Sequence, residues 1–388
     1  MKLLKISVSG LPLFGNTCEI DFVAMQRVTS DNAEKMSVLF SSTTQTFYQN
    51  NVLSFIGINA SGKTSILKLI TFFGSLMSNE SINNIAHGEI LDGLGNEHLV
   101  VFDVYFASED GNINYLHTVI GKQKNRFIIL DEFMKSKSCA KIKNKNDIFA
   151  FDSVAPSLIR NKDEAFLLDD VSIIVAYNKK HPDTLSVTDM LHYTNTNELS
   201  IEEDCPAELI AFFDPSVEYL HVRKNGKDTD IRLKFFTSEE IQLNQMSNLN
   251  RYLSYGTIKG INTFLNAVRA FETGGYLIVD ELENHFNHEI ISTLIRFCMD
   301  KKVNPKGAML IFSTHYAGLL DEFERNDNIY IVRNKSGITA ENLSTILKRN
   351  DIKKSEAYQS GFLEGTVPMY DAYMDLKKSL MRSRTEGI

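Results

Sequence analysis

Residues 57 to 64 read Gly57-Ile58-Asn59-Ala60-Ser61-Gly62-Lys63-Thr64, the G-x-x-x-x-G-K-[ST] pattern of a phosphate-binding loop. No other stretch limits the fold so strongly. The pattern works only on a tight turn between a buried strand and a helix. Its glycines let backbone N–H groups converge on phosphate oxygens. Lys63 adds positive charge near the β- and γ-phosphates, and Thr64 offers a hydroxyl to Mg²⁺. The flanks agree. Val52-Leu53-Ser54-Phe55-Ile56 reads as a short buried strand. Ile66, Leu67, Leu69 and Ile70 read as the core face of a helix reaching about Met77, with its N-terminus aimed at the phosphates. The expected phosphate-binding residues are Gly57, Asn59, Ala60, Ser61, Gly62, Lys63, Thr64 and Ser65.

A second group of motifs lies in the last third. From residue 240 helices and apolar strands alternate: a helix over 257–272, a strand over Tyr276–Val279, a helix over 287–301, and strands over 308–312 and 329–332. This alternation implies a parallel sheet and an α/β fold. Asp280-Glu281 follows the first of these strands, at the end where ligands of such sheets bind. Asp280 would support Mg²⁺ and Glu281 would act as general base on a water. Thr314-His315 ends the next strand, where an imidazole would meet a γ-phosphate or the attacking water. Leu253-Ser254-Tyr255-Gly256 precedes the helix leading to Asp280, and Ser254 suits its N-cap.

The rest of the chain gives weaker signals. Residues 2–8 and 17–23 suggest a strand pair, and 26–48 a polar excursion. Residues 79–97 read as loop. A strand over 98–108, a turn at Glu109–Asn112 and a return strand over 113–120 form a hairpin, with 127–130 as a third strand. Lys135, Lys137, Lys141, Lys143 and Lys145 read first as a solvated loop and second as a polyanion contact. Residues 150–215 look helical and mixed, and 217–236 a hairpin with Asn225-Gly226 at its tip. Asp228-Thr229-Asp230 could imitate a metal-binding carboxylate pair but sits beside that polar tip.

Composition narrows the classes. The chain has 388 residues, 43% hydrophobic and 23% charged, with net charge −8. That is globular, and not the balance of a strongly basic nucleic-acid binder. The four cysteines are scattered with no C-x-x-C pair, so neither a zinc site nor a disulfide framework is expected. No apolar run reaches the ~18 residues of a spanning helix. A cytoplasmic, membrane-free protein is the expectation.

Taken in order, the phosphate loop, L-S-x-G, D-E and S-T-H resemble the ABC-type ATPases. The G-x-N-x-S-G-K-T form and the Asp280-Glu281-Leu282-Glu283-Asn284 stretch are most similar to the stand-alone, SMC-like branch of the AAA15 and AAA21 classes. The resemblance implies an ABC-type ATPase head: a mixed sheet flanked by helices, an antiparallel β-subdomain and an inserted, mostly helical region. It implies an N-terminal lobe over 1–133, an insert over 134–239, a C-terminal lobe over 240–345 and a tail over 346–388. It also implies ATP and Mg²⁺, with Lys63 and Thr64 on the phosphates, Asp280 on the metal, Glu281 as base and His315 as switch histidine. Ser254 and Gly256 would contact ATP held by the other subunit of a homodimer. The signature departs from the family as L-S-Y-G, and the glutamine of the Q-loop has no counterpart near 95–108.

The tail Lys348–Ser355, with Gly365-Thr366, Pro368 and Tyr370, resembles ATPase subunits of bacterial anti-phage and abortive-infection modules of the PARIS and AbiL kinds. That implies a separately encoded Toprim-like or RloB-like nuclease as partner and a phage-encoded trigger. The alternative is a RecF- or SMC-like DNA-binding ATPase of repair. Roughly 190 residues without heptads separate the loop from the signature, which excludes long coiled-coil arms.

Overall fold

The computed structural model describes residues 1–160, 167–181, 184–194, 198–201, 204–225, 228–284, 286–349, 351–366 and 370–385. The chain opens with β1 (Lys2–Ser9) and β2 (Thr17–Asp21), then α1 (Ser30–Ala33), β3 (Ser37–Ser41) and β4 (Thr46–Gln49). The phosphate-loop unit follows as β5 (Val52–Ile56) and α2 (Lys63–Met77). Next come β6 (Val100–Ala107), β7 (Asn112–Gln123), β8 (Arg126–Ser138), α3 (Lys145–Phe149), β9 (Pro156–Ile159), α4 (Ile174–Lys180) and β10 (Val187–Asp189). Then α5 (Ala207–Phe213) leads to β11 (Val217–Asn225), β12 (Asp228–Phe235) and β13 (Ile241–Leu243). The last third holds α6 (Tyr255–Thr273), β14 (Tyr276–Val279), α7 (His288–Met299), β15 (Met309–Thr314), β16 (Ile329–Asn334) and β17 (Ile338–Asn342). It ends with α8 (Leu343–Ile346), α9 (Lys354–Gln359) and α10 (Tyr370–Thr385).

Two six-stranded sheets organise this mixed α/β fold. One has the order β10-β14-β15-β5-β16-β17 and is parallel except for β17. Every residue of β5, β14 and β15 is buried. These strands are covered on both faces, which is why they read as unbroken apolar runs. The other sheet, β2-β1-β6-β7-β8-β9, is antiparallel.

Helix α2 lies between the sheets. Its Ile66, Leu69, Ile70 and Phe73 share one core with Leu3, Ile6 and Phe102 of the antiparallel sheet and with Ile278 and Ile311 of the parallel one. Phe72 stacks on Phe102 with centroids 5.8 Å apart, and Phe73 meets the same ring edge-on at 4.9 Å. Helices α6 and α7 cover the opposite face of the parallel sheet. Two fully buried tyrosines tie the sheets together. Tyr276 Oη accepts the Leu3 N–H at 2.7 Å, and Tyr330 Oη accepts the Asp21 N–H at 2.8 Å.

Three expectations change. The stretch 26–48 is not a simple excursion, because Phe40 and Phe47 stack at 4.8 Å across the β3–β4 hairpin and are buried. The lysine-rich stretch is solvated only in part: Lys141 and Lys143 are exposed, and the other three lysines are engaged. Lys135 Nζ donates to Phe151 O at 3.0 Å, Lys137 Nζ to Ala150 O at 2.6 Å, and Lys145 Nζ to Met25 O at 2.7 Å. These cations close chain turns. The insert is not mostly helical. Strand β8 runs across the 133/134 line, and β10 joins the parallel sheet with Val187 opposite Tyr276. A three-residue strand has no period to read, and its partner lies about ninety positions away. The 217–236 hairpin pairs up to Asn225 and Asp228, while Gly226 lies outside the described residues. No described helix is long and apolar enough to cross a membrane.

Replacing Tyr276 with Phe leaves the buried Leu3 N–H without a partner. Urea unfolding should then show a loss of ~1–3 kcal/mol. A change within about 0.5 kcal/mol, the size of an ordinary surface substitution, would mean that this bond does not join the sheets.

Candidate functional site

The loop is shaped by what its neighbours forbid. A Cβ on Gly57 would lie 2.5 Å from Val332 O and 2.4 Å from Ser61 Oγ, so β16 admits only glycine there. Gly62 sits in the left-handed region at φ 98° and caps α2 without a side-chain hydrogen bond. The first N–H groups of α2 are therefore left for a ligand, as at other anion-binding helix ends. Ser61 is 2% exposed, and its buried Oγ has no hydrogen-bond partner.

Above the loop opens a cleft of about 900 Å³. It is lined by Asn59, Ala60, Gly62, Lys63, Thr64, Ser65, Glu281 and His315, together with Pro12, Leu13, Phe14, Asn334, Ser336, Gly337 and Ile338. Lys63 is buried, and its Nζ donates to Gly57 O at 2.9 Å and Ile58 O at 3.1 Å. Burial holds its pKa below the usual lysine value, opposed by the charges of Asp280, Glu281 and Glu283. A desolvated cation at the loop's mouth attracts anionic oxygens strongly.

The topology supplies the other groups. Strands β14, β15 and β5 are parallel neighbours, so residues leaving their carboxyl ends converge. Thr64 Oγ1 donates to Asp280 Oδ2 at 2.7 Å, while Ser313 Oγ donates to Asp280 Oδ1. Ser313 Oγ in turn accepts the Glu281 N–H at 2.8 Å. Glu281 has φ 47°, a left-handed conformation in a non-glycine residue. Such geometry costs on the order of 1–3 kcal/mol and is found where a site needs it.

His315 Nε2 lies 3.0 Å from Glu281 Oε1, and its Nδ1 lies 3.0 Å from Lys63 Nζ. A neutral ring carrying its proton on Nε2 satisfies both contacts. Asn284 Nδ2 donates to Glu281 Oε2 at 2.5 Å. The Glu281 pKa lies below the usual carboxylate range, held down first by the His315 hydrogen bond against partial burial, then by Asn284 and by the charge of Lys63. Glu281 is therefore ionised at neutral pH.

The structure brings Lys63, Thr64, Asp280, Glu281 and His315 into one cluster. It does not bring Ser254 and Gly256 there. Ser254 caps α6 by accepting the Thr257 N–H at 3.0 Å, as its residue type suggests, but neither residue lines the cleft. Three contributors carried no role from sequence. Ser313 and Asn284 act as described, and Glu283 accepts the His315 N–H. All three adjoin the motifs, which is the only signal they gave. The stretch after β10 is a further addition. Met190, Tyr193 and Thr194 line a small void with Asp280 and Glu281, and Lys259 Nζ donates to Thr194 O.

Other candidates fall away. Asp230 pairs with Arg232 Nε at 3.1 Å, and the Asp228 side chain lies outside the described residues. Among the described residues no cluster of three or more His, Cys, Asp or Glu is arranged to hold a metal. In the tail, Lys354 is buried and the Ser355 N–H donates to Asp321 Oδ1 at 3.0 Å, so the end of that segment is packing, while Lys348, Arg349 and Lys353 are exposed. Asn350 and Pro368 lie outside the described residues. No protein-family model matches the chain, and no curated protein matches it.

Replacing His315 with Ala removes the leading influence on Glu281. Carbon-detected NMR titration should place the Glu281 carboxyl midpoint higher in the variant. An unchanged midpoint would show that His315 does not hold the carboxylate.

Proposed function

We propose that this chain is an ABC-type ATPase that hydrolyses Mg²⁺-bound ATP at a site completed by a second copy. The observation that carries this reading is the meeting of Thr64, Asp280, Glu281 and His315 around a phosphate loop, from the start of α2 and the ends of β14 and β15. The cradle suits a triphosphate on three counts. Gly57 allows backbone approach, the buried Ser61 Oγ lacks a partner, and the α2 N-terminus is open. Thr64 and Asp280 would hold Mg²⁺, which when bound neutralises charge between the β- and γ-phosphates.

The chain's own groups account for the remaining chemistry. Lys63 exchanges its carbonyl partners for phosphate oxygens. Glu281, kept ionised by His315 and Asn284, orients a water and takes its proton as the oxygen attacks the γ-phosphorus. The bond to the β–γ bridging oxygen breaks, giving ADP and phosphate. His315 connects the base to Lys63, so a change at the phosphates reaches Glu281 through one ring. Ser254, exposed, and Gly256, half-buried, stand at the start of α6 outside this cleft and suit the opposite face of an ATP held by another copy.

By its resemblance to anti-phage ATPase subunits, the chain would sense infection and control a separately encoded nuclease. A DNA-repair ATPase is less well supported, because Lys135, Lys137 and Lys145 donate to backbone carbonyls.

Glu281→Gln should cut phosphate release ~10²-fold or more while ATP binding persists. Turnover that survives this change would remove Glu281 as base. Lys63→Ala should lose nucleotide binding in a fluorescent-ATP titration, and undiminished affinity would remove the cradle itself.

A further inference from the structure

Helices α5, α6 and α7 enclose a groove of about 730 Å³ on the face of the parallel sheet opposite α2. Its floor is Phe264, Phe271 and Leu294, all buried, and its lips are Phe212, Val268 and Phe297, exposed at 44%, 49% and 39%. The local cause is a tight helix contact. A Cβ on Gly260 would come within 2.1 Å of the Phe213 ring. The missing methyl lets α5 press Phe213 onto α6, and the adjacent Phe212 is left at the surface. Contiguous apolar surface rimmed by charge marks an interaction site.

The same chain carries a convex counterpart. Helix α10 has Tyr373, Leu376 and Leu380 at i, i+3 and i+7, exposed at 56%, 60% and 59%, with Tyr370 at 72%. A sixteen-residue helix gains too little from its own hydrogen bonds to persist in water, so most of its stability must come from covering this stripe. Anchors at this spacing are those of helix-in-groove recognition.

Charge favours the match. Helix α10 contains four basic and two acidic residues, in a chain of net charge −8. Lys378 shares its charge with Asp375 at 3.5 Å, while Lys377 stands on the apolar side of the helix. Glu208 and Glu272 stand at the groove's rim against a single lysine, Lys306. Within one folded chain the groove's lips and the α10 stripe are both exposed.

We propose that α10 of a second copy docks its Tyr373–Leu376–Leu380 stripe into the α5–α6–α7 groove, and that the exchange is reciprocal. This makes a closed, two-fold contact. It does not depend on nucleotide and involves none of the residues assigned to the ATP site, so it stands or falls separately from the ATPase reading.

All four native cysteines are buried, so an engineered surface pair reports cleanly. Val268→Cys and Leu376→Cys are purified separately in the full chain, mixed without nucleotide, and oxidised with diamide. The expected result is a covalent dimer in the mixture and in neither preparation alone. In parallel, mass photometry of nucleotide-free Leu376→Asp should show loss of the dimer seen for the unsubstituted chain, with ATP binding unchanged. A dimer that persists in Leu376→Asp would overturn the proposal. So would a covalent dimer from Leu376→Cys alone, which would mean that the helices pair with each other. So would a doubly substituted chain that closes its bond within a monomer.

Discussion

The Asp280 carboxylate accepts a hydroxyl on each oxygen, from Thr64 at the start of α2 and from Ser313 at the end of β15. Asp280 itself leaves β14. One side chain thus fixes the relative positions of three core elements at the end of the sheet where chemistry is expected. The Ser313 hydroxyl also accepts the Glu281 N–H, so the same cluster sets the direction of the next carboxylate. Hydrogen bonds to a charged group are worth more than neutral ones, and this cluster is surrounded by strands that are buried throughout.

That arrangement depends on α2 being held between two sheets. The phosphate loop alone is a flexible turn. It becomes a fixed cradle because Phe72 and Phe73 lock α2 onto the antiparallel sheet while β16 presses Val332 O against Gly57. Tyr276 lies in the strand that leads directly to Asp280, so the bond joining the sheets and the Asp280–Glu281 turn share one strand. Packing, backbone restriction and the charge cluster form one continuous structure.

Much of this could be read from the residues. The loop, its strand and its helix were visible because a buried strand, glycines and an amphipathic run follow one another in order. Asp280 and His315 could be placed because unbroken apolar runs precede them, and Ser254 because it is a capping residue type at a helix start. What could not be read depends on distant partners. Strand β10 has only three residues, and its hydrogen bonds come from β14. Lys135, Lys137 and Lys145 looked solvated because sequence does not show that carbonyls of 150 and 151, and of 25 and 26, fold back to meet them. Ser313, Glu283 and Asn284 received no roles because each acts through a neighbour's side chain or backbone.

The central claim is a shared active site, with Lys63 from one copy facing Ser254 of another. Mixing two disabled chains tests it most directly. Lys63→Ala and Ser254→Arg should each be inactive alone. A mixed dimer joins the intact loop of one chain to the intact α6 start of the other, so the account predicts that phosphate release returns on mixing. A mixture as inactive as its components, with mixed dimers shown to be present, would contradict a site built from two copies.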